Sequence, residues 1–73
     1  MHSLCDISVG ESARVHSLTA KGSMRRRLLD IGLITGTRVL CVGKSPMGDP
    51  HAFMIRGAVI ALRLEDCKTV LVV

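Results

Sequence analysis

Short apolar stretches separated by turn residues recur along the chain and predict β-strands. They are SARVHSL (12–18), TRVLCVGK (37–44), HAFMIR (51–56), AVIALRL (58–64) and KTVLVV (68–73). In HAFMIR the alternation places Phe53 and Ile55 on one face of a sheet, and Gly57 is expected to turn the chain between the third and fourth stretches. The segment SPMGDP (45–50) contains two prolines, a glycine and an aspartate and is typical of a loop.

One stretch has the period of a helix instead. Met24, Leu28 and Ile31 are spaced i, i+4 and i+7, which lines one helical face, and Ser23 and Gly32 are suitable N-cap and C′ residues. The pattern therefore predicts a mainly β fold of about five strands, with a short α-helix inserted after the first strand. So small a set of sequentially paired strands favours a closed or nearly closed barrel, which leaves no exposed edge.

Three consecutive arginines follow the predicted N-cap, so we expect them in the first turn, where the helix dipole disfavours cations. Arg26 shares the outward side of the helix with Asp30. Arg25 borders the apolar face, and its guanidinium could bind a carboxylate such as Asp49 or Glu65 inside the fold. Arg25, Arg26 and Arg27 could also contact a partner. We expect Arg25 to be the internal clamp and Arg26 the contact.

The size of the chain limits what it can do. Its 73 residues predict a single domain over 1–73 with little room for an internal active-site cavity. There is no Gly-x-Ser-x-Gly elbow and no glycine-rich phosphate loop, so we expect no enzyme. With 48% hydrophobic residues and a mean hydropathy of +0.41, the chain is expected to expose apolar surface for a partner.

The charged and aromatic residues argue against a nucleic-acid partner. The formal net charge is +4, which is modest for a protein that follows a phosphate backbone. Phe53 is the single aromatic residue, so the chain lacks the stacking platforms that single strands usually need.

The cysteines and histidines predict neither a metal site nor another cofactor. Cys5, Cys41 and Cys67 are odd in number and widely spaced, and no pair of histidines or cysteines has ligand spacing. The absence of a disulfide framework favours a reducing, cytoplasmic location. No signal peptide and no apolar run of membrane-spanning length is visible, so we expect no direct insertion into a membrane.

Four blocks of the sequence, in order, resemble the FeoA family, the small cytosolic proteins of bacterial ferrous iron uptake. The blocks are RRRLLDIGLITGTRV, SPMGDP, IRG and ALRLEDCKTVLV, and together they cover almost the whole chain. The resemblance implies an SH3-like β-barrel with a helical insertion. The residues that it implies as structural are Asp30, Gly32, Gly36, Pro46, Gly48, Asp49, Pro50, Arg56, Gly57, Arg63 and Glu65.

The resemblance also implies a function and a partner. It implies a non-enzymatic accessory or regulatory protein that contacts FeoB, the membrane transporter with a cytoplasmic GTP-binding domain, through that domain or the membrane part. FeoB would then recruit it to the inner face of the membrane, and a homo-oligomer is left open. The candidate partner-binding residues are Arg25, Arg26, Arg27, Leu29, Leu33 and Leu64. Two alternatives are a free-standing relative of the C-terminal domain of DtxR-type metal-dependent repressors and a nucleic-acid-binding SH3-like barrel.

Overall fold

The computed structural model describes residues 2–73, and this part of the chain forms one six-stranded sheet with two short α-helices. The strands are β1 (His2–Ser3), β2 (Ser12–Leu18), β3 (Arg38–Lys44), β4 (His51–Ile55), β5 (Ala58–Leu62) and β6 (Val70–Val72). Helix α1 spans Gly22–Asp30, helix α2 spans Leu64–Cys67, and a 3₁₀ turn covers Leu4–Asp6. No helix within residues 2–73 is long and apolar enough to cross a lipid bilayer.

The sheet has the order β1-β6-β2-β3-β4-β5, and all neighbouring strands are antiparallel. The five predicted strands and the mainly β class are confirmed. One detail was wrong: a two-residue strand pairs with β6 ahead of the predicted first strand, so α1 follows the second strand. Of the two expected arrangements, closed or nearly closed, the fully closed barrel is not formed, because β1 and β5 lie at the two edges of the sheet.

The inward face of the sheet forms the core together with α1. Val15, Val39 and Ile55 lie on three adjacent strands with at most 2% of their surface exposed, and Phe53 is fully buried among them. Leu28 is the buried residue of α1. Because an isolated helix of nine residues is marginal in water, this packing holds α1 in place.

The end of α1 is a Schellman motif. The Gly32 amide donates to the Leu29 carbonyl at 3.0 Å and the Leu33 amide donates to the Leu28 carbonyl at 3.1 Å. Gly32 has φ +104°, and a side chain there would meet the stem of Arg56 at 2.6 Å. The left-handed backbone favours glycine at this position, and the Arg56 stem would have to move to admit a side chain.

The start of α1 differs from the prediction. The helix begins at Gly22 with Lys21 as its N-cap residue, so Ser23 lies inside the helix and makes no cap. The three arginines consequently occupy the middle of the helix rather than its first turn, and Arg27 lies in the last turn. A cation near a helix C-terminus is favoured by the dipole, so the electrostatic penalty expected for a first-turn position does not apply to Arg27.

Candidate partner-binding surface on helix α1

A shallow groove of about 420 Å³ runs between α1, the end of β2 and the segment that follows the helix. Its lining residues are Ser17, Leu18, Arg25, Leu29, Leu33, Ile34 and Thr35. We call this feature the α1 groove. The Thr35 hydroxyl donates to the His16 carbonyl at 3.0 Å, which fixes the far wall of the groove against β2.

Apolar side chains are exposed along this groove. Leu29 is 37% exposed and Ile34 is 44% exposed. Exposed apolar residues that share one depression are more typical of a binding surface than scattered ones. The sequence indicated Leu29 but not Ile34, because only the packing of the segment after α1 against β2 brings Ile34 into the groove.

Leu33 was predicted to contact a partner, and the structure contradicts this. The residue is fully buried, because it follows the C′ glycine of the Schellman motif, where an apolar side chain packs back against the helix. Leu28, which accepts the hydrogen bond from its amide, is fully buried as well. Leu33 therefore belongs to the core beneath the groove.

Arg25 was predicted to clamp a carboxylate, and this was wrong. Its Nη1 donates to the backbone carbonyl of Leu18 at 3.1 Å. The residue is exposed at one wall of the α1 groove. Arg25 thus ties the helix to the end of β2 while its guanidinium stays accessible to a partner.

The internal ion pair of the helix is made by Arg27 instead, whose Nη2 donates to an Asp66 carboxylate oxygen. The Asp66 side chain is 3% exposed and that of Arg27 is 61% exposed. A helical wheel would have indicated this. Arg27 lies about 70° from the mean direction of the apolar face formed by Met24, Leu28 and Ile31, whereas Arg25 lies about 90° away, so Arg27 is closer to the core. Arg27 is therefore a structural residue rather than a free partner contact.

Asp66 was missed because the sequence placed EDC in a solvated turn. The structure has α2 there, which buries Asp66 and leaves Glu65 exposed. Leu64 is half-buried, and its carbonyl accepts a hydrogen bond from the Cys5 thiol at 3.6 Å. It does not line the α1 groove, so the structure does not bring it together with Leu29.

Arg26 and Asp30 are both exposed. Within residues 2–73 neither makes a side-chain ion pair or hydrogen bond, so the expected pair between them is not formed. Asp30 is the last residue of α1, where the dipole disfavours an anion. These two charges have no stabilising role visible inside the fold and remain available to a partner.

The loop between β3 and β4 is anchored to α2 through Asp49. Its Oδ1 accepts the Leu64 amide at 3.1 Å and its Oδ2 lies 3.6 Å from Nε of Arg63. The carboxylate thereby caps the first residue of α2 from fifteen positions upstream.

The remaining predicted structural residues lie in turns. In the loop before Asp49, the Gly48 amide donates to the Ser45 carbonyl at 2.7 Å, which closes a turn that contains Pro46. Pro50 follows a cis peptide bond and its carbonyl accepts the Ser45 amide at 3.0 Å. Gly36 lies in the turn that enters β3, where its amide donates to the Val15 carbonyl at 2.8 Å.

Arg56 and Gly57 form the two-residue turn of the β4–β5 hairpin. Their φ angles are +50° and +86°, as a type I′ turn requires at both central positions. The predicted turn at Gly57 is present in the structure.

The described residues contain no group of three or more His, Cys, Asp or Glu side chains that could hold a metal ion. Cys41 and Cys67 are fully buried. Burial raises the pKa of the Cys67 thiol to about 12, which keeps it protonated at neutral pH. Since metals bind the thiolate, this geometry suits a small core residue.

Comparison with known proteins decides the family, because the model of the FeoA domain matches residues 2–73. The chain belongs to the FeoA family. It is 28% identical over 67 residues to a Fe(2+) transport protein A/Fe(2+) transporter FeoB fusion protein of Porphyromonas gingivalis. The match covers 92% of this chain but spans only 8% of that relative's length.

The solved structures agree with the SH3-like prediction. The FeoA of Stenotrophomonas maltophilia complexed with zinc, described as an SH3 domain protein, is 30% identical with a TM-score of 0.88. The alignment covers all of this chain and 91% of that one. A manganese-dependent transcriptional repressor shares the fold at 19% identity and a TM-score of 0.87, over 99% of this chain and 40% of its own. The SH3-like fold of this FeoA-family chain is confirmed.

Proposed function

We propose that this chain is a non-enzymatic accessory protein of bacterial ferrous iron uptake that binds the transporter FeoB. The observation that carries the proposal is the Porphyromonas gingivalis relative, in which a FeoA segment and an Fe(2+) transporter are one polypeptide. Fusion holds two modules at high effective concentration. That arrangement suits a pair that associates when the modules are separate chains.

The α1 groove supports an action by binding. It combines accessible apolar surface at Leu29 and Ile34 with the guanidinium of Arg25 at its wall and Arg26 on the outer face of the helix. Arginine is among the residues that protein interfaces favour, and the centre of an interface is more apolar than the rest of the surface. We place the contact with FeoB on this groove, and hence the protein at the cytoplasmic face of the membrane when it is bound.

Four of the six side-chain carboxylates are held in bonds that serve the fold, which supports binding rather than catalysis. Asp6 accepts the Ser3 amide, Glu11 the Ser8 amide and Asp49 the Leu64 amide, while Asp66 is paired with Arg27. The hydrogen bonds from the backbone amides of Ser3 and Ser8 lower the pKa of Asp6 and of Glu11. Groups held in these bonds serve the fold and are poorly placed as general acids or bases.

The test is co-purification with detergent-solubilised FeoB from the same organism, with and without guanine nucleotide. We expect a stable complex at physiological salt in at least one nucleotide state. Deletion of the gene should lower Fe²⁺ uptake without lowering the amount of FeoB. A chain that never co-purifies, in any nucleotide state and after chemical cross-linking, would refute the proposed partner.

A further inference from the structure

The second surface of interest is the edge strand β5, which pairs on one side only with β4. Its two-residue turn closes with Ile55 opposite Ala58, which makes this pair hydrogen-bonded. Hydrogen-bonded and non-hydrogen-bonded pairs alternate along an antiparallel ladder. The amide and carbonyl groups of Val59 and Ala61 therefore point away from the sheet, and no backbone group within residues 2–73 pairs with them.

This edge lacks the devices that usually protect a free strand. The sequence AVIAL contains no charge and no proline, and its register against β4 has no bulge. Val59 is 61% exposed. A regular apolar edge with open hydrogen-bonding groups is a template for another strand.

The outer face of the sheet beside this edge is apolar. Leu40, Met54 and Val59 pair in one row across β3, β4 and β5. Leu40 and Met54 are half-buried, so the row leads from the middle of the sheet to the exposed Val59. A strand added beside β5 would extend this row with its own alternate side chains.

Next to the apolar row lies a row of arginines. Arg14 stands directly opposite Arg38, and like charges in that position destabilise a sheet. Arg38 and Arg56 line a shallow depression of about 270 Å³ together with Leu40 and Met54. Within residues 2–73, none of these three arginines forms an ion pair with a carboxylate.

From this juxtaposition we infer that β5 binds an extended acidic segment of another protein, which adds a strand through Val59 and Ala61. Alternate apolar residues of the segment would pack beside Val59. Its carboxylates would meet Arg56 at one end of the edge. At the other end Arg63 lies 3.6 Å from Asp49, but its side chain is 69% exposed and can contact a carboxylate of the segment as well. This site is separate from the α1 groove and does not depend on the identity of the partner proposed there.

A second copy of the chain fits the edge poorly. Antiparallel pairing of two β5 strands through Val59 and Ala61 would place the Arg56–Gly57 turn of one copy beside Arg63 and Leu64 of the other. Like charges would then meet at both ends, between molecules of net charge +4. The same arginines favour an acidic segment. They repel a second positively charged chain and attract the carboxylates of an acidic one, and both effects contribute to specificity.

The experiment is a ¹⁵N NMR titration of the full chain at physiological salt with two nine-residue peptides that alternate valine and threonine. One peptide has two glutamates at each end, and the matched one has lysines in their place. We expect the acidic peptide to shift the amides of Val59 and Ala61 and to slow their hydrogen exchange. Its affinity should exceed that of the lysine peptide by about tenfold or more.

Two variants separate the backbone contribution from the charge contribution. Val59→Pro removes the outward amide without touching a bond to β4, since proline is tolerated at such edge positions, and Val59→Thr is its matched control. Arg56→Asn keeps the turn, because asparagine accepts positive φ, and removes the charge. We expect Val59→Pro and Arg56→Asn each to weaken the acidic peptide by about tenfold, and Val59→Thr to bind as wild type.

Several results would overturn the inference. Unshifted Val59 and Ala61 amides at millimolar acidic peptide would do so, as would equal affinity for both peptides or shifts confined to the α1 groove. Concentration-dependent shifts of the same amides with a dimer in sedimentation would make a second copy the occupant. Preferential shifts by a short RNA at physiological salt would make it a nucleic acid. If Val59→Pro fails to fold, the wild-type exchange data and Arg56→Asn decide.

Discussion

At the scale of single residues, the arginine run divides into different roles. Arg27 is bound to the buried Asp66, Arg25 to a backbone carbonyl, and Arg26 has no side-chain partner within residues 2–73. Three identical neighbours therefore contribute differently to stability. Their positions around the helix, rather than their sequence order, decide which one is structural.

Arg27→Ala leaves a buried carboxylate without its cation and should lower the free energy of unfolding. Because the Arg27 side chain is 61% exposed, water can partly replace it, so we expect about 1–2 kcal/mol, below the cost of breaking a fully buried pair. Arg26→Ala is the matched control and should cost less than about 0.5 kcal/mol. Urea unfolding at pH 7 measures both, and equal losses would contradict the assigned roles.

The three cysteines should differ in reactivity. Cys5 is half-buried whereas Cys41 and Cys67 are buried, and the pKa of Cys67 is raised to about 12. Since the thiolate is the reactive form, we expect Cys5 to react with a disulfide reagent at pH 8 well before the other two, which should react only after unfolding in urea. Mass spectrometry of the native protein locates the label, and early modification of Cys67 would show that its environment is open.

At the scale of secondary-structure elements, the strands and helix α1 were predictable, whereas helix α2 was not. Apolar runs bounded by glycine and proline located β2 to β6 to within about two residues at most ends, the usual precision of such boundaries. Helix α2 could not be found locally, because its first amide is capped by Asp49 from another loop. The two-residue β1 likewise exists only through its pairing with β6.

The cap on α2 should be measurable. Asp49→Ala removes the acceptor for the Leu64 amide, and we expect a loss of about 1–2 kcal/mol in the free energy of unfolding. Asp49→Asn keeps an oxygen acceptor and should cost less. Arg63→Ala, which removes only an exposed ion partner, should stay within about 0.5 kcal/mol of wild type. If the arginine variant were the more damaging one, the ion pair rather than the cap would hold the loop.

Substitutions at Gly57 in the β4–β5 turn test the cost of backbone strain separately from side-chain packing. Gly57 has φ +86°, and a Cβ there would meet no atom within 4 Å. Any loss in Gly57→Val must therefore come from the left-handed backbone, at about 1–3 kcal/mol. Gly57→Asn should cost less, because asparagine tolerates this region. Thermal melts of both variants test the ranking, and a valine variant that melts with wild type would place Gly57 in another conformation.

At the scale of the whole molecule, the fold class followed from the sequence but the shape of the α1 groove did not. The sequence favoured a closed or nearly closed barrel without exposed edges, whereas the sheet has free edges at β1 and β5. Leu29 was predictable as an exposed apolar residue. Ile34 was not, because only the packing of the segment after α1 against β2 places it beside Leu29.

The central claim is that the α1 groove binds FeoB, and paired glutamate variants test it most directly. Ile34→Glu puts a charge into the groove, and Val9→Glu puts the same charge on an exposed apolar residue outside it. The affinity of each purified variant for detergent-solubilised FeoB is measured by surface plasmon resonance, after matched melts confirm folding. We predict that Ile34→Glu weakens binding by about tenfold or more, a loss of about 1.4 kcal/mol, while Val9→Glu binds as wild type. Unchanged binding of Ile34→Glu, or an equal loss in Val9→Glu, would contradict the claim.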